Sequence, residues 1–351
     1  LVLCCLGPSA TAHAVEHEAA TTDAQTTLTH WLDGQYNVAA HKLLGNIMGN
    51  GAVLASPSRV DPDYYYHWTR DAALVMDQVA NMYESSSDPS ERARLLDAMR
   101  NYVLFVRQIN DRPTLSGPVD EHHTNIGEPK YFPDGAPYNR DWGRPQTDGP
   151  ALCALTLLHF LDIAKNEADL RPFDDATLTS IRETLRQDLT YTAHHWRTAG
   201  FDLWEEVKGR HFYNGMVQRR ALLEGARWLR SSGDRALAED YLRQAQALQA
   251  QLDGFWDAGR GYIVATHDRS GGLDYKHSNL DVSVILASLH ADDVRAPFFG
   301  PADERVLKTV EQLVKVYRDL LPINSRSADQ GGVVLGPGIG RYPEDLSLIH
   351  I

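Results

Sequence analysis

The chain has 351 residues, 43% of them hydrophobic and 23% charged, the balance of a folded protein rather than a disordered one. Its 47 acidic residues outnumber 34 Lys and Arg, giving a formal charge of −13. Such a surface repels a phosphate backbone, so nucleic acid is not an expected partner, whereas a neutral ligand such as a sugar is compatible.

Residues 1–14 read as the back half of a signal peptide: Leu1 to Leu6 are apolar, and Ala12-His13-Ala14 fits a small-x-small cleavage site. The expectation is a secreted or periplasmic protein. No later stretch approaches ~20 uninterrupted apolar residues, so no membrane span is expected. Cys4 and Cys5 fall in that leader and leave Cys153 alone, so no internal disulfide is expected.

Apolar residues at helical spacing predict helices over residues 24–47, 68–86, 89–110, 148–166, 175–197, 212–232, 234–256, 279–290 and 302–321. Asp88-Pro89-Ser90-Glu91 is a helix start, with Pro in the first turn and an acid after it. Gly261-Tyr262-Ile263-Val264-Ala265 predicts a short strand or hairpin arm. Residues 111–147, rich in Gly, Pro, Asp and Asn, read as a loop, and a loop that long is usually functional. No Pro/Ser linker interrupts the chain, so residues 15–345 are expected to be one domain, with 346–351 a foreign tail.

Polar-aromatic clusters precede several of these helices: Tyr66-His67-Trp68-Thr69-Arg70-Asp71, Trp142-Gly143-Arg144, Asp202-Leu203-Trp204-Glu205-Glu206, Ser278-Asn279-Leu280-Asp281 and Arg341-Tyr342-Pro343-Glu344-Asp345. They recur every ~55–80 residues, about two helices each time. A toroid of helical hairpins delivers this rhythm, because each hairpin returns the chain to one face. The expected fold is therefore all-α.

Trp204-Glu205-Glu206, with Asp202 just before, crowds carboxylates beside an indole, which suits a carboxylic acid that must donate a proton. Glycoside hydrolysis needs two carboxyls, flat apolar faces for sugar rings and forked groups for hydroxyls. Trp68, Trp142 and Trp204 supply faces; Arg70, Arg144 and Arg341 supply forks; Asp71 and Glu206 supply acceptors. His122-His123 beside Glu121 lacks a second ligand cluster, so no metal is expected. Gly331-Gly332 and the Gly336–Gly340 run lack a following Lys-Ser/Thr, so neither reads as a phosphate loop, and no cofactor is expected.

Longer motifs sharpen this. Ala55-Ser56-Pro57-Ser58 with Pro62-Asp63-Tyr64-Tyr65-Tyr66-His67-Trp68-Thr69-Arg70-Asp71 resembles the first signature of glycoside hydrolase family 15, the glucoamylases. Gly127-Glu128-Pro129-Lys130, Trp142-Gly143-Arg144-Pro145-Gln146 and Asp148-Gly149-Pro150-Ala151-Leu152 resemble the second. Asp202-Leu203-Trp204-Glu205-Glu206-Val207 resembles the third, and Gly340-Arg341-Tyr342-Pro343-Glu344-Asp345 the fourth.

The resemblance implies a six-hairpin α/α toroid, of which this chain would hold about nine of twelve helices. It implies an inverting exo-glucosidase that releases β-glucose from non-reducing ends of α-1,4-glucans or malto-oligosaccharides, acting as a monomer when full length. By the same resemblance Glu205 is the general acid, and Leu203 and Trp204 wall the glucose pocket. Arg70 and Asp71 hold the terminal glucose, while Glu206 and Arg341 contact the next sugar. Tyr64 flanks the reacting centre, and Trp68, Trp142, Arg144, Asp202 and Asp345 complete the binding and supporting set. His67 and Thr147 depart from the Thr and Arg of fungal members. After Asp345 the family pattern is lost, and the family's general base is expected beyond that point, so that this chain alone would be inactive. The competing expectation is an inactive carbohydrate-binding or regulatory relative.

Overall fold

The computed structural model describes residues 16–325 and 336–345. The leader-like run 1–14, Gly331-Gly332 and residues 346–351 lie outside the described residues. The chain divides into two compact units, one ending at Ile47 and one beginning at Met48. The described part of the first is helix α1 (Glu16–Leu44), whose Leu28, Trp31, Leu32, Tyr36 and Val38 are exposed. It starts well before the expected residue 24. Residues 16–23 carry no large apolar side chain in sequence, and periodicity cannot register a helix without an apolar stripe.

The second unit holds α2 (Thr69–Ser85), α3 (Pro89–Asn110), α4 (Asp148–Asn166), α5 (Asp175–His195), α6 (Phe212–Ser231), α7 (Arg235–Asp253), α8 (Ser283–His290) and α9 (Glu304–Leu320). The even helices pack in series, α2 on α4, α4 on α6 and α6 on α8. The odd helices back them, α3 on α2 and α5, α7 on α6, and α9 on α8. This alternation of inner and outer helices is the layout of an α/α toroid. The inner helices are buried along much of their length: α2 buries Ala72, Ala73, Met76, Val79, Ala80 and Tyr83, and α4 buries Ala151, Ala154, Leu157 and Phe160. Small residues on these faces let neighbouring inner backbones approach.

The helix ends differ between the two layers. Asp88, Asp174, Asp234 and Asp303 cap the outer helices α3, α5, α7 and α9 by accepting backbone N–H bonds. The inner helices α2, α4, α6 and α8 start after Trp68, Thr147, His211 and Val282, none of which supplies a side-chain cap. The first N–H of α2 and of α6 is instead taken by a backbone carbonyl, Thr69 N by Pro129 O and Phe212 N by Ala265 O, and the partial positive charge of these ends lies where the polar-aromatic clusters sit.

Two helix ends differ from expectation for local reasons. Residues 279–282 bend first, with Asn279 at φ 56°, and Asp281 Oδ1 accepts Ser283 N at 2.8 Å where α8 begins. At the other, α7 stops at Asp253 because Trp256–Asp257 (β5) pairs with Tyr262–Ile263 (β6), the expected hairpin arm. The long loop holds a 3-10 turn at Thr124–Gly127 and Lys130–Tyr131 (β2), which pairs antiparallel with His67–Trp68 (β1). A three-stranded antiparallel sheet was not foreseen: Gly200–Phe201 (β3), Val207–His211 (β4) and Thr266–Gly272 (β7), with β4 in the middle. Its strands are short, and β4 (Val-Lys-Gly-Arg-His) lacks the β-branched or aromatic density that marks a strand in sequence.

Candidate active site

The third cluster sits at the tip of the β3–β4 hairpin. Asp202 organises that tip. Its backbone O accepts Glu205 N at 2.9 Å, and its Oδ1 accepts Glu206 N at 2.7 Å and Val207 N at 2.9 Å. Glu205 itself has φ 64°, a left-handed conformation that costs a residue with a Cβ about 1–2 kcal/mol. The bonds to Asp202 hold it there, and the turn sends the Glu205 side chain across to the starts of α2 and α4.

There three donors converge on one oxygen. Glu205 Oε1 accepts Trp68 Nε1 at 2.7 Å and Gln146 Nε2 at 2.8 Å, and Arg70 Nη2 lies 3.8 Å away. Oε2 accepts no hydrogen bond from the described residues. Arg70 is buried and fixed by its Nη1, which donates to Gln146 Oε1 and Asp148 Oδ2, each at 2.9 Å. Burial works against its charge, but Asp148, Asp71 and Glu205 hold the guanidinium firmly protonated. The Asp71 carboxyl accepts no hydrogen bond from the described residues. Burial pushes its pKa up, Arg70 pulls it back, and Glu205 and Asp148 add to the rise.

A second charged cluster lies on the other side of the tip. Arg341 Nη1 meets Glu206 Oε1 at 3.0 Å, and its Nε and Nη2 form a fork on Asp345 at 2.7 and 2.9 Å. Glu206 and Asp345 keep Arg341 charged against its burial. Trp204 Nε1 donates to both oxygens of Asp281, at 3.0 and 3.1 Å. Burial raises the Asp281 pKa, opposed by Lys276, Ser283 and Trp204. Buried Lys276 places Nζ 3.3 Å from Asp202, 3.0 Å from Glu206 and 3.5 Å from Asp281.

Aromatic rings line the approach. Tyr64, which is 46% exposed, stands edge-on to Trp68 with centroids 6.0 Å apart, and Trp68 meets Trp142 at 5.9 Å. Behind them Lys130 Nζ is ringed by Tyr66, Trp68, Tyr138 and Trp142, at 4.1, 4.4, 4.1 and 3.6 Å from the ring centroids. Removal from water drops the Lys130 pKa to about 8, with Glu205 opposing. Cation–π contacts on four faces offset part of that desolvation.

The structure brings Tyr64, Trp68, Arg70, Asp71, Trp142, Asp202, Leu203, Trp204, Glu205, Glu206, Arg341 and Asp345 to one region around the hairpin tip. Arg144 has a different setting. Its Nε bonds Glu128 at 2.6 Å, Nη1 bonds Arg140 O at 2.8 Å and Nη2 bonds Tyr138 O, so its fork ties the 128–144 loop together. Burial raises the Glu128 pKa, countered by Arg144. Sequence reasoning assigned no role to Gln146, Asp148, Lys130, Lys276 or Asp281. Gln146, Asp148, Lys130 and Asp281 lie in motifs already singled out, so position in the motif was the available signal. Lys276 stands alone in a Gly/Asp/His stretch that reads as a solvated loop. Among the described residues, no group of three or more His, Cys, Asp or Glu is arranged to hold a metal ion, and no helix is long and apolar enough to cross a membrane.

A family model described as glycosyl hydrolases family 15 matches residues 35–347. Glucoamylase 1 of Rhizopus oryzae is 34% identical over 91% of this chain and 50% of its own length. The intracellular sporulation-specific glucoamylase of Saccharomyces cerevisiae is 33% identical over 92% of this chain and 60% of its own. The chain thus spans about half the length of the curated relatives it matches. The solved glucoamylase of Saccharomycopsis fibuligera superposes with a TM-score of 0.79 and 31% identity, covering 91% of this chain and 68% of that one. The Hypocrea jecorina glucoamylase gives the same TM-score at 30% identity, over 91% of this chain and 52% of the other.

Proposed function

Since the chain belongs to glycosyl hydrolase family 15 and shares its α/α toroid fold, we propose that it serves an exo-glucosidase that releases β-glucose from the non-reducing ends of α-1,4-glucans by inversion. Glu205 is the general acid. The observation that carries this reading is the division of labour between its two oxygens. Oε1 is taken up by Trp68, Gln146 and Arg70, so the proton of the acid form resides on Oε2 and is free to pass to the glycosidic oxygen. Inversion also needs a second carboxylate, on the opposite face of the sugar, to activate water; Glu205 fills only the acid role.

Asp71, without a hydrogen bond from the described residues, and Arg70 beside it take hydroxyls of the terminal glucose in this reading. Tyr64 and Trp142 supply ring-stacking surface for it, whereas Trp68, buried in the structure, serves by holding Glu205. Glu206, braced by Arg341, addresses the next sugar. The leader-like run ending at Ala14 favours secretion.

Glucose release from maltose and maltotriose is the test. Glu205→Gln should lower kcat by at least ~10³-fold and leave sugar binding within a few-fold, because acid catalysis acts in the transition state. A kcat within about tenfold of the parent would remove Glu205 from the role. A parent protein that binds maltotriose but releases no glucose would favour the binding-only reading instead.

A further inference from the structure

Lys276 sets one ammonium against the three carboxylates of the second cluster, donating a hydrogen bond to Asp202 Oδ2 at 3.3 Å and ion-pairing with Glu206 at 3.0 Å and Asp281 at 3.5 Å. Its Nζ also lies 3.7 Å from the centre of the Tyr342 ring, which closes the remaining side. Asp202 and Glu206 each give Lys276 one oxygen and use the other for a separate part of the site. Asp202 turns Oδ1 to the backbone N–H groups of Glu206 and Val207. Glu206 turns Oε1 to Arg341. Asp281 shares Oδ2 between Lys276 and Trp204, while its Oδ1 accepts Trp204 Nε1 and Ser283 N. One buried cation therefore touches the start of the hairpin tip, its end, and the residue that orients the intervening Trp204.

We propose that Lys276 is a positioning residue that sets the Glu206 carboxylate for the sugar beyond the scissile bond, and so tunes preference for longer chains over glucose. The inference rests on reading this site as a glucoside pocket. Glu206 is held between two cations, Lys276 at Oε2 and Arg341 at Oε1, 3.0 Å from each. That leaves the carboxylate one plane in which both contacts are kept. Without Lys276 the clustered anions repel, and Glu206 swings towards Arg341. The Glu205 contacts to Trp68 and Gln146 lie on the far side of the tip and do not involve Lys276. A purely structural lysine would instead affect stability and every ligand alike.

The experiment is a tryptophan-fluorescence titration of the protein with glucose and with maltotriose, for the parent, Lys276→Met, Glu206→Gln and the double variant. Lys276→Met should weaken maltotriose about tenfold and glucose by less than about twofold, and should add nothing further in the Glu206→Gln background. Should Lys276→Met fail to melt cooperatively, Lys276→Arg keeps the charge but not the three separate contacts, and should show the same selective loss at about threefold or more. Equal losses for both sugars, no loss for maltotriose, or losses that add to those of Glu206→Gln would overturn the proposal. A parent that binds neither sugar would overturn the pocket reading itself, and this inference with it.

Discussion

Trp68 Nε1 donates to Glu205 Oε1 at 2.7 Å, joining two residues 137 positions apart. Trp68 ends β1 and immediately precedes α2, whereas Glu205 rides on the β3–β4 turn. This bond and the parallel one from Gln146 register the hairpin tip against the uncapped ends of the inner helices. The left-handed backbone of Glu205 makes that register specific, because the turn offers its side chain one direction.

Trp68→Phe removes the N–H donor together with the five-membered ring of a buried indole, so its thermal melt is read beside its kinetics to separate the packing loss from the lost bond. Gln146 still donates to the same oxygen, so Glu205 keeps one anchor. A hydrogen bond to a charged group contributes about 1.5–3 kcal/mol, so kcat for maltose should fall about tenfold while KM moves little. Steady-state glucose release decides it; an unchanged kcat would mean that the bond does not hold the acid in place.

The helical frame was legible because its apolar stripes repeat at helical spacing, and α3 to α6 follow the sequence reading to within two residues. The β3–β4–β7 sheet was not, since its strands are short and their residues alternate without strong β preference. Glu205, Arg70 and Arg341 were visible because motif and residue type point the same way. Lys276 was invisible, because nothing in a lone lysine tells a solvated ammonium from one enclosed by three distant carboxylates. Asp148 had a plain alternative in sequence, an acid in the first turn of a helix, and only the tertiary contact with Arg70 separates the two.

Asp202→Ala should be costly to stability. The variant strips a charged acceptor from two backbone N–H groups and one carboxylate from Lys276. About 2–4 kcal/mol is expected, read as a lower urea midpoint at unchanged m-value. Asp202→Asn keeps an acceptor oxygen and should lose roughly half as much. Equal losses would point to the charge alone rather than the turn bonds.

Asp188 makes a pH-dependent contribution from the core. It is buried among α3, α4 and α5 near Cys153 and Asn110, and burial pushes its pKa up to about 8. The folded state therefore keeps a proton that the unfolded chain, with an ordinary value of about 3.9, releases. Between those two values the native state binds more protons, so stability falls as pH rises towards 8. Asp188→Asn removes that titration. Denaturant titrations from pH 5 to pH 8 should show a flatter decline for the variant, with the gain over the parent largest at pH 8. Parallel curves for the two proteins would mean that Asp188 ionises normally in the fold.

Gly272 and Gly261 form a matched pair for the last test. Both have positive φ, 80° and 74°, so alanine strains the backbone in either place by about 1 kcal/mol. Their surroundings differ. A Cβ on Gly261 meets nothing within 4 Å, whereas one on Gly272 lies 2.1 Å from the backbone O of Glu206. That carbonyl also accepts Leu273 N at 2.8 Å, so it cannot retreat without loosening the β4–β7 pairing beside the hairpin tip. Gly261→Ala should therefore lower stability by about 1 kcal/mol and leave kinetics alone. Gly272→Ala should cost about 2–4 kcal/mol, and by displacing Glu206 it should raise KM several-fold for maltose and maltotriose alike. Thermal melts and paired KM measurements on the two variants separate the contributions. If Gly272→Ala matched Gly261→Ala in both respects, the close approach at Glu206 would not be what fixes its carboxylate.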